Sequence, residues 1–369
     1  MKPVRLLCFV LPAVLGCSVG RVDLGDPGRD DVPHGNGGDG NGGNGGDGTT
    51  GDPETGDPGQ SSPSNAPETV LEGATLDQIG EIRDFNVAAG KLYYSASSDG
   101  RVSLFRYDIA SKANVLIDKD HGGSPYAADA NGLFYFGLTP EPVEKAIIGI
   151  PLTSTTHLPE WFARVSTYAT AVALDPKMVY WAERGELDTF FRIARRGTFA
   201  SPPTETAAFG PSVPNQGEWF NHLVVDQGIG YAAGDRGRLV KFDLEIATTL
   251  LAEGGPTDGF MMDAARLYWT DGAELKALSR SAAPGTAPSV IGSLPSDATN
   301  VLGGVGAKGV YVLSQPSAGG ATGKVLRIDP ATAASTELVS KLPGVRAGTF
   351  LDKSLYFATS KGIFRLTDG

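Results

Sequence analysis

The chain has 369 residues and a formal net charge of −11, with 50 glycines, 25 prolines, two cysteines and four histidines. A chain of this length can bury a large core, and it can do so as a single all-β domain. The acidic balance argues against nucleic-acid binding, since few cations are left to neutralise a run of phosphates. Two cysteines are too few for a disulfide-stapled scaffold.

The first 17 residues have the layout of a secretory signal. Lys2 and Arg5 form a basic start, and residues 6–15 form an apolar stretch. This stretch is shorter than the roughly 20 helical residues that span a bilayer. Residues 14–17, Val-Leu-Gly-Cys, resemble the bacterial lipobox, in which an aliphatic and a small residue precede a lipidated cysteine. The alternative is an ordinary cleaved signal in which the cysteine is incidental.

The lipobox resemblance implies a membrane anchor. By that resemblance Cys17 becomes the mature N-terminus and carries fatty acyl chains such as palmitate. Ser18 follows it, and the sorting rule of enteric bacteria then implies the outer membrane. We therefore expect a protein that is lipid-anchored in the bacterial cell envelope and faces the periplasm or the cell surface.

Residues 18–68 have the composition of a disordered linker. They contain 15 glycines and six prolines, with ten acidic residues against two arginines. Such a segment cannot bury enough apolar surface to offset the entropy lost on ordering. We expect a tether with an r.m.s. span of roughly 40 Å. Its Gly-Asp runs also suggest a calcium-binding β-roll, but that repeat needs an apolar residue where Gly40 and Gly48 stand.

Residues 69–369 contain a sevenfold repeat of short aromatic runs. The runs are 92–94, 133–135, 179–181, 230–232, 267–269, 310–312 and 355–357, which places them about 44 residues apart. Alternating strand patterns precede and follow them, and four strands per unit at this spacing predict propeller blades. We predict an all-β fold with a seven-bladed β-propeller. Six blades is the alternative, if the weak run at Gly230-Tyr231 marks no blade.

The last unit has three predicted strands, the third at residues 363–367. Residues 69–73, Thr-Val-Leu-Glu-Gly, resemble the fourth strand of the preceding unit at 336–339. Pairing of 69–73 with 363–367 would close the ring and remove an open sheet edge. We therefore expect a propeller over 69–369 that is closed by its N-terminal strand.

One aromatic run carries a more specific resemblance. Residues 268–271, Tyr-Trp-Thr-Asp, resemble the YWTD repeat, and residues 180–183, Tyr-Trp-Ala-Glu, resemble a degenerate copy. With the lipobox and the tether, the layout is similar to that of YWTD-like β-propeller lipoproteins of Gram-negative bacteria such as myxobacteria. Animal YWTD propellers have six blades and bind protein partners, so the resemblance implies a binding module.

An aspartate stands four residues before the aromatic run in the second to fifth units, at Asp129, Asp175, Asp226 and Asp263. A ring of metal ligands is one interpretation of this pattern. The position falls in the turn between the first two strands, where an aspartate accepts hydrogen bonds from its own turn. We interpret these residues as turn caps, and we interpret the aromatic runs as packing between blades.

Candidate binding residues lie eight or nine positions before each aromatic run, where the innermost strand of each blade begins. In a propeller these starts surround one mouth of the central channel. The candidate ligand-binding residues there are Arg83, Asn221, His222, Asp258 and Arg346. Tyr126, Tyr168 and Trp219 lie nearby as possible aromatic walls. Such a mouth suits an anionic or polar ligand, and the alternative is a solvated rim without a ligand.

Catalytic motifs give no support for an enzyme. The sequence has no Gly-x-Ser-x-Gly elbow, no His-Glu-x-x-His and no paired cysteines for zinc. We therefore favour a monomeric, non-enzymatic binding or scaffold module without metal or cofactor, whose propeller face takes a protein, glycan or peptide. One alternative is a periplasmic or surface enzyme of the lactonase or lyase type with a metal in the channel. Another is a structural spacer of the envelope.

Overall fold

The computed structural model describes residues 66–72, 81–98, 101–119, 126–138, 145–151, 160–165, 167–195, 208–214, 218–243, 249–253, 258–317 and 322–367. The predicted signal, Cys17 and residues 18–65 of the predicted tether lie outside these residues. The described residues contain β-strands and turns, and no α-helix occurs among them.

The strands form seven four-stranded sheets, which are the blades of a propeller. The first strand in the chain, β1 (Glu68–Glu72), belongs to the last blade. Blades 1 to 3 consist of β2 (Glu81–Ala88), β3 (Lys91–Ser98), β4 (Arg101–Asp108) and β5 (Asn114–Asp118); β6 (Tyr126–Ala128), β7 (Gly132–Leu138), β8 (Lys145–Pro151) and β9 (Glu160–Arg164); and β10 (Tyr168–Leu174), β11 (Met178–Arg184), β12 (Asp188–Arg195) and β13 (Ala208–Pro214).

Blades 4 to 7 repeat this order. They consist of β14 (Phe220–Asp226), β15 (Ile229–Gly234), β16 (Leu239–Phe242) and β17 (Thr249–Ala252); β18 (Asp258–Met262), β19 (Arg266–Asp271), β20 (Glu274–Ser279) and β21 (Ser289–Ser293); β22 (Ala298–Gly306), β23 (Gly309–Pro316), β24 (Gly323–Ile328) and β25 (Ser335–Leu342); and β26 (Ala347–Leu351), β27 (Ser354–Thr359), β28 (Gly362–Thr367) and β1.

The prediction of a seven-bladed all-β propeller is confirmed. Each aromatic run lies on the second strand of a blade, and the weak run at Gly230-Tyr231 lies on β15 in a complete blade. The six-blade alternative is therefore wrong. The first strands of the blades contact one another in chain order from β2 to β26, and β26 contacts β2. These seven strands are the innermost ones of a closed ring.

The core consists of seven hydrophobic clusters, and each is shared by two neighbouring blades. Adjacent residues of a strand point to opposite faces of the sheet, so one aromatic run serves two interfaces. Trp181 packs in the cluster between blades 2 and 3, and its neighbour Tyr180 packs between blades 3 and 4. Both are fully buried, which confirms blade packing as their role.

Three of the four predicted aspartate caps are present. The Oδ1 atoms of Asp129, Asp175 and Asp263 accept hydrogen bonds from two backbone N–H groups of their own turns, at 2.7 to 3.1 Å. The hydroxyls of Tyr180 and Tyr268 donate to the second oxygens of Asp175 and Asp263 at 2.7 Å. Burial and these carboxylates raise the pKa of both tyrosines.

The turn-cap prediction is wrong for Asp226. It forms an ion pair with Arg280 of blade 5 at 2.7 Å and so links two blades. The next two residues, Gln227 and Gly228, both have positive φ (52° and 84°). A two-residue turn of this kind joins two strands directly through its own backbone. The aspartate side chain is then available for a contact outside the turn.

The ring is closed by β1, which pairs antiparallel with β28 at the outer edge of blade 7. The strand begins at Glu68, one residue before the predicted segment 69–73, and ends at Glu72. Leu71 is 1% exposed and packs in the cluster between blades 7 and 1. Glu68 forms an ion pair with Arg365 of β28. The closing strand therefore combines a ladder of backbone bonds with one buried apolar side chain.

Replacing the buried side chain of the closing strand tests this arrangement. We expect Leu71→Ala to lower the free energy of unfolding by about 2–4 kcal/mol, since it leaves a cavity at a blade interface. Urea unfolding followed by intrinsic fluorescence measures the loss. The control is Glu68→Gln, which removes an exposed ion pair and is expected to change stability by less than about 1 kcal/mol. Equal effects of the two substitutions would contradict the role of Leu71.

Candidate functional site

One end of the ring collects the starts of the innermost strands. Because the strands of each blade are antiparallel and in sequence order, the second strand ends and the third begins at this same end. We call this end the entry face. Loops and strand ends around a rigid propeller ring are free to vary without altering the core, which suits them to binding.

The innermost strands share an irregularity near the entry face. In blades 1, 3, 4, 5 and 6 the described pairing with the second strand skips one residue, as a β-bulge. The skipped residues are Arg83, Thr170, Asn221, Gly259 and Gly303. A bulge bends the strand and redirects its side chains. Thr170 uses this to donate from its hydroxyl to the Phe220 carbonyl of the next blade at 2.6 Å.

The predicted site residues lie at the entry-face ends of four innermost strands. Arg83 and Asn221 are bulge residues of β2 and β14, and His222 follows Asn221. Asp258 is the first residue of β18, and Arg346 directly precedes β26. Since β26 neighbours β2 and β14 neighbours β18, the five predicted site residues lie at two places on the ring. Arg346 and Arg83 share one place, and Asn221, His222 and Asp258 share the other.

Burial limits what these residues present to a ligand. The His222 side chain is 3% exposed, so it belongs to the protein interior. Arg346 is partly buried, and this burial lowers its pKa. Tyr126, expected as an aromatic wall, is 6% exposed and donates its hydroxyl to the Tyr93 carbonyl at 3.1 Å. Binding through these side chains stays a prediction.

A strip of aromatic, cationic and apolar side chains crosses blades 2 to 4 on the entry face. Leu138 and Lys145 are strand partners, and the Lys145 Nζ lies 4.5 Å from the centre of the Tyr168 ring. Tyr168 is the strand partner of Arg184, whose guanidinium carbon lies 3.7 Å from the centre of the Trp219 ring. We call Leu138, Lys145, Tyr168, Arg184 and Trp219 the aromatic strip.

The rings and the leucine of the aromatic strip are open to solvent, and its two cations are partly buried. Tyr168 is 55% exposed, Trp219 is 41% exposed and Leu138 is 60% exposed, and Leu187 in the β11–β12 turn of the same face is 77% exposed. The other exposed large apolar side chains of the described residues lie on outermost strands: Val115, Leu116, Leu250 and Val290. Tyrosine, tryptophan and arginine are the residue types that dominate binding energy at protein interfaces. The strip therefore has the composition of a recognition surface.

Buried ion pairs hold the backbone beneath the strip. Glu183 is 2% exposed; it accepts from Arg192 Nε and from the Thr167 backbone N–H, both at 3.3 Å. The Thr167 hydroxyl donates to the Arg184 carbonyl. Thr167 precedes Tyr168, so this network fixes the ends of β10 and β11 that carry two members of the strip.

A second buried ion pair fixes the backbone that carries Trp219. Glu218 is 1% exposed, pairs with Arg238 Nε at 2.5 Å, and accepts two backbone N–H bonds at 3.0 and 3.1 Å. A Cβ on Gly234 would lie 2.0 Å from the Glu218 carboxylate, so only glycine fits there. The backbone of Trp219 also exchanges bonds with Asp235, at 2.9 and 3.0 Å. The exposed ring therefore projects from a fixed backbone.

Sequence reasoning named Tyr168 and Trp219 as aromatic walls but missed the cations stacked on them. Arg184 ends the second strand of blade 3, and Lys145 begins the third strand of blade 2. Counting positions along the first strand of each blade does not identify residues on the second and third strands. The available signal was Leu187, an apolar residue between Glu186 and Asp188 in a tight turn.

The chain matches no family model and no curated protein. Among solved structures, a chain of the mitotic checkpoint complex is 10% identical over 86% of this chain and 96% of that chain, with a TM-score of 0.55. A putative 6-phosphogluconolactonase from Bacteroides fragilis is 11% identical, over 81% and 90% of the chains, with a TM-score of 0.47. A prolyl endopeptidase structure is 14% identical over 75% of this chain and 46% of that chain, with a TM-score of 0.48. At such identities the likeness concerns the fold alone.

Among the described residues, no three or more His, Cys, Asp and Glu side chains form a group that could hold a metal ion. The same residues include no helix with the length and hydrophobicity needed to cross a bilayer.

Breaking the buried ion pair of Glu218 and Arg238 tests whether this pair supports the structure beneath Trp219. We expect Arg238→Ala to lower the free energy of unfolding by about 3–5 kcal/mol, because it leaves the Glu218 carboxylate buried without its cation. The double variant Glu218→Gln/Arg238→Met removes both charges and is expected to recover most of that loss. Urea unfolding of the two variants measures the difference. A loss below about 1 kcal/mol for Arg238→Ala would rule out this support.

Proposed function

We propose that this protein is a lipid-anchored binding module of the bacterial envelope, whose entry face holds a macromolecular partner without catalysis. The aromatic strip is the observation that supports it. Tyrosine and tryptophan rings that face solvent leave apolar surface in contact with water. A partner that covers them removes this surface from water, which favours binding. The buried pairs of Glu183 and Glu218 keep the strip in one arrangement, which lowers the entropy lost on binding.

The strip is a better candidate than the channel mouth for this role. Its two rings and Leu138 are exposed, whereas His222 and Tyr126 at the channel mouth are buried. A lipid on Cys17 and a long tether would hold the entry face away from the membrane, where a large partner has access. The proposal therefore joins an anchor, a spacer and a recognition face.

Crosslinked co-purification tests the recognition face. The tagged, membrane-anchored protein is crosslinked in its native membranes, and the recovered partner is compared between wild type and Tyr168→Ala/Trp219→Ala. We expect at least about a tenfold loss of partner in the variant, because aromatic hot spots contribute about 2 kcal/mol or more each.

Two comparison variants make this result specific. Leu250→Ala/Val290→Ala removes exposed apolar side chains from outermost strands and is expected to leave recovery unchanged. Arg83→Ala/His222→Ala/Arg346→Ala alters the channel mouth. A loss with this triple variant and none with the strip variant would move the site to the mouth. A structural spacer predicts no specific partner for any of them.

Membrane fractionation tests the anchor. We expect wild type in the detergent-soluble membrane fraction and Cys17→Ala in the aqueous fraction, because removing the lipid-bearing thiol removes the acyl chains that hold the protein. Cys8→Ala, which alters a thiol inside the predicted signal, is the matched control and should fractionate like wild type. Recovery of both wild type and Cys17→Ala in the aqueous fraction would leave only an ordinary cleaved signal, and recovery of both in the membrane would contradict the lipid on Cys17 as the anchor.

A further inference from the structure

Among the described residues, the two cations of the aromatic strip contact aromatic rings rather than carboxylates. Neither Lys145 nor Arg184 forms an ion pair in the part of the chain that the structure describes, and each instead lies against an aromatic ring. Other cations of the same blades behave differently: Arg192 and Arg238 pair with buried carboxylates. Two cations without an ion pair beside exposed rings are positive groups that can attract an anion, on a chain whose net charge is −11.

Stacking leaves these cations able to bind an anion. The Arg184 guanidinium carbon lies 3.7 Å from the centre of the Trp219 ring, and guanidinium N–H groups lie in the guanidinium plane. The Arg184 Nη1 atom is buried, so the other N–H groups are the ones that a ligand can reach. A carboxylate can approach in that plane and form charge-assisted hydrogen bonds while the stack with Trp219 is kept. The Lys145 ammonium, over Tyr168, can bind a second carboxylate in the same way.

The apolar members of the surface indicate which anion fits. Leu138 is 60% exposed beside Lys145, and Leu187 is 77% exposed on blade 3. Aliphatic side chains give a peptide a surface for its own apolar side chains, and they offer a polyanionic sugar chain nothing to hydrogen-bond. Carboxylates interleaved with apolar groups are a property of acidic protein segments.

We infer that the aromatic strip binds an acidic protein segment that sets carboxylates against Lys145 and Arg184 and apolar side chains against Tyr168, Trp219 and the exposed leucines. This inference rests on the proposed binding function and specifies its partner. The carboxylates give the complex its register, and the rings give it most of its buried apolar area. Because the cations are only partly buried, salt screens them, and binding weakens as salt rises above the physiological range.

Selection from a random-peptide display library tests the inference with the full-length protein as target. We expect the enriched peptides to combine Asp or Glu with neighbouring apolar residues. Their affinity is expected to fall at least about tenfold for Lys145→Glu/Arg184→Glu, and severalfold for wild type when salt rises from about 0.1 to 0.5 M. The matched control is Lys177→Glu/Arg266→Glu, which makes the same change in net charge at exposed positions where the second strands of blades 3 and 5 begin, on the opposite face. It should bind like wild type.

Thermal unfolding of both double variants shows whether each remains folded. Enrichment of basic or uncharged peptides, or equal affinity for the two double variants, overturns the inference. Polygalacturonate is added as a competitor in a separate arm. If it binds through the strip and no acidic peptide is enriched, the partner is an anionic glycan, and the inference fails while the proposed binding function stands. If the crosslinking experiment also recovers no partner, the proposed function fails with it.

Discussion

The structure depends on the burial of each blade on both faces. A blade has an apolar cluster on either side, and seven clusters for seven blades require a closed ring. Tyr180 and Trp181 show how this is achieved locally, since neighbouring residues on one strand supply two different interfaces. An open ring would expose two of these faces at once, and the apolar area lost would be that of a whole interface. The pairing of β1 with β28 is therefore part of the core.

Ring closure has consequences for the entry face. The innermost strands contact their neighbours all round, and bulges place polar residues such as Thr170 where they bond to the next blade. Between blades 5 and 6, Gly259 has a φ of +86°, and an added Cβ would lie 3.0 Å from the Leu302 backbone. Backbones that pack this closely leave little freedom for loops to rearrange at the channel mouth. The surface farther out, on blades 2 to 4, can vary without disturbing the ring.

The repeat was predictable from the sequence because burial imposes it on every blade. A strand that is buried on both faces needs large apolar residues at the same place in each repeat, and the aromatic runs from 92–94 to 355–357 record that need. Even the weak run at Gly230-Tyr231 follows it: a Cβ on Gly230 would lie 2.1 Å from the Phe242 ring, so the glycine makes room for an aromatic neighbour. The glycine that weakens this aromatic run is therefore required for the packing of Phe242.

The candidate site was predictable only in part, because no repeat imposes it. Counting along the chain located the strand starts but gave no information on exposure, so buried His222 and exposed Trp219 appeared equivalent. The cations of the strip lie on different strands and blades from the rings they stack on, and only the fold brings them together.

The turn caps show the same limit at a smaller scale. Asp226 shares its sequence position with Asp129, Asp175 and Asp263, yet it binds Arg280 because its turn is two residues long. A position in a repeat predicts the backbone environment of a residue well. Its contacts depend on side chains from other blades, and a repeat position carries no information about those side chains.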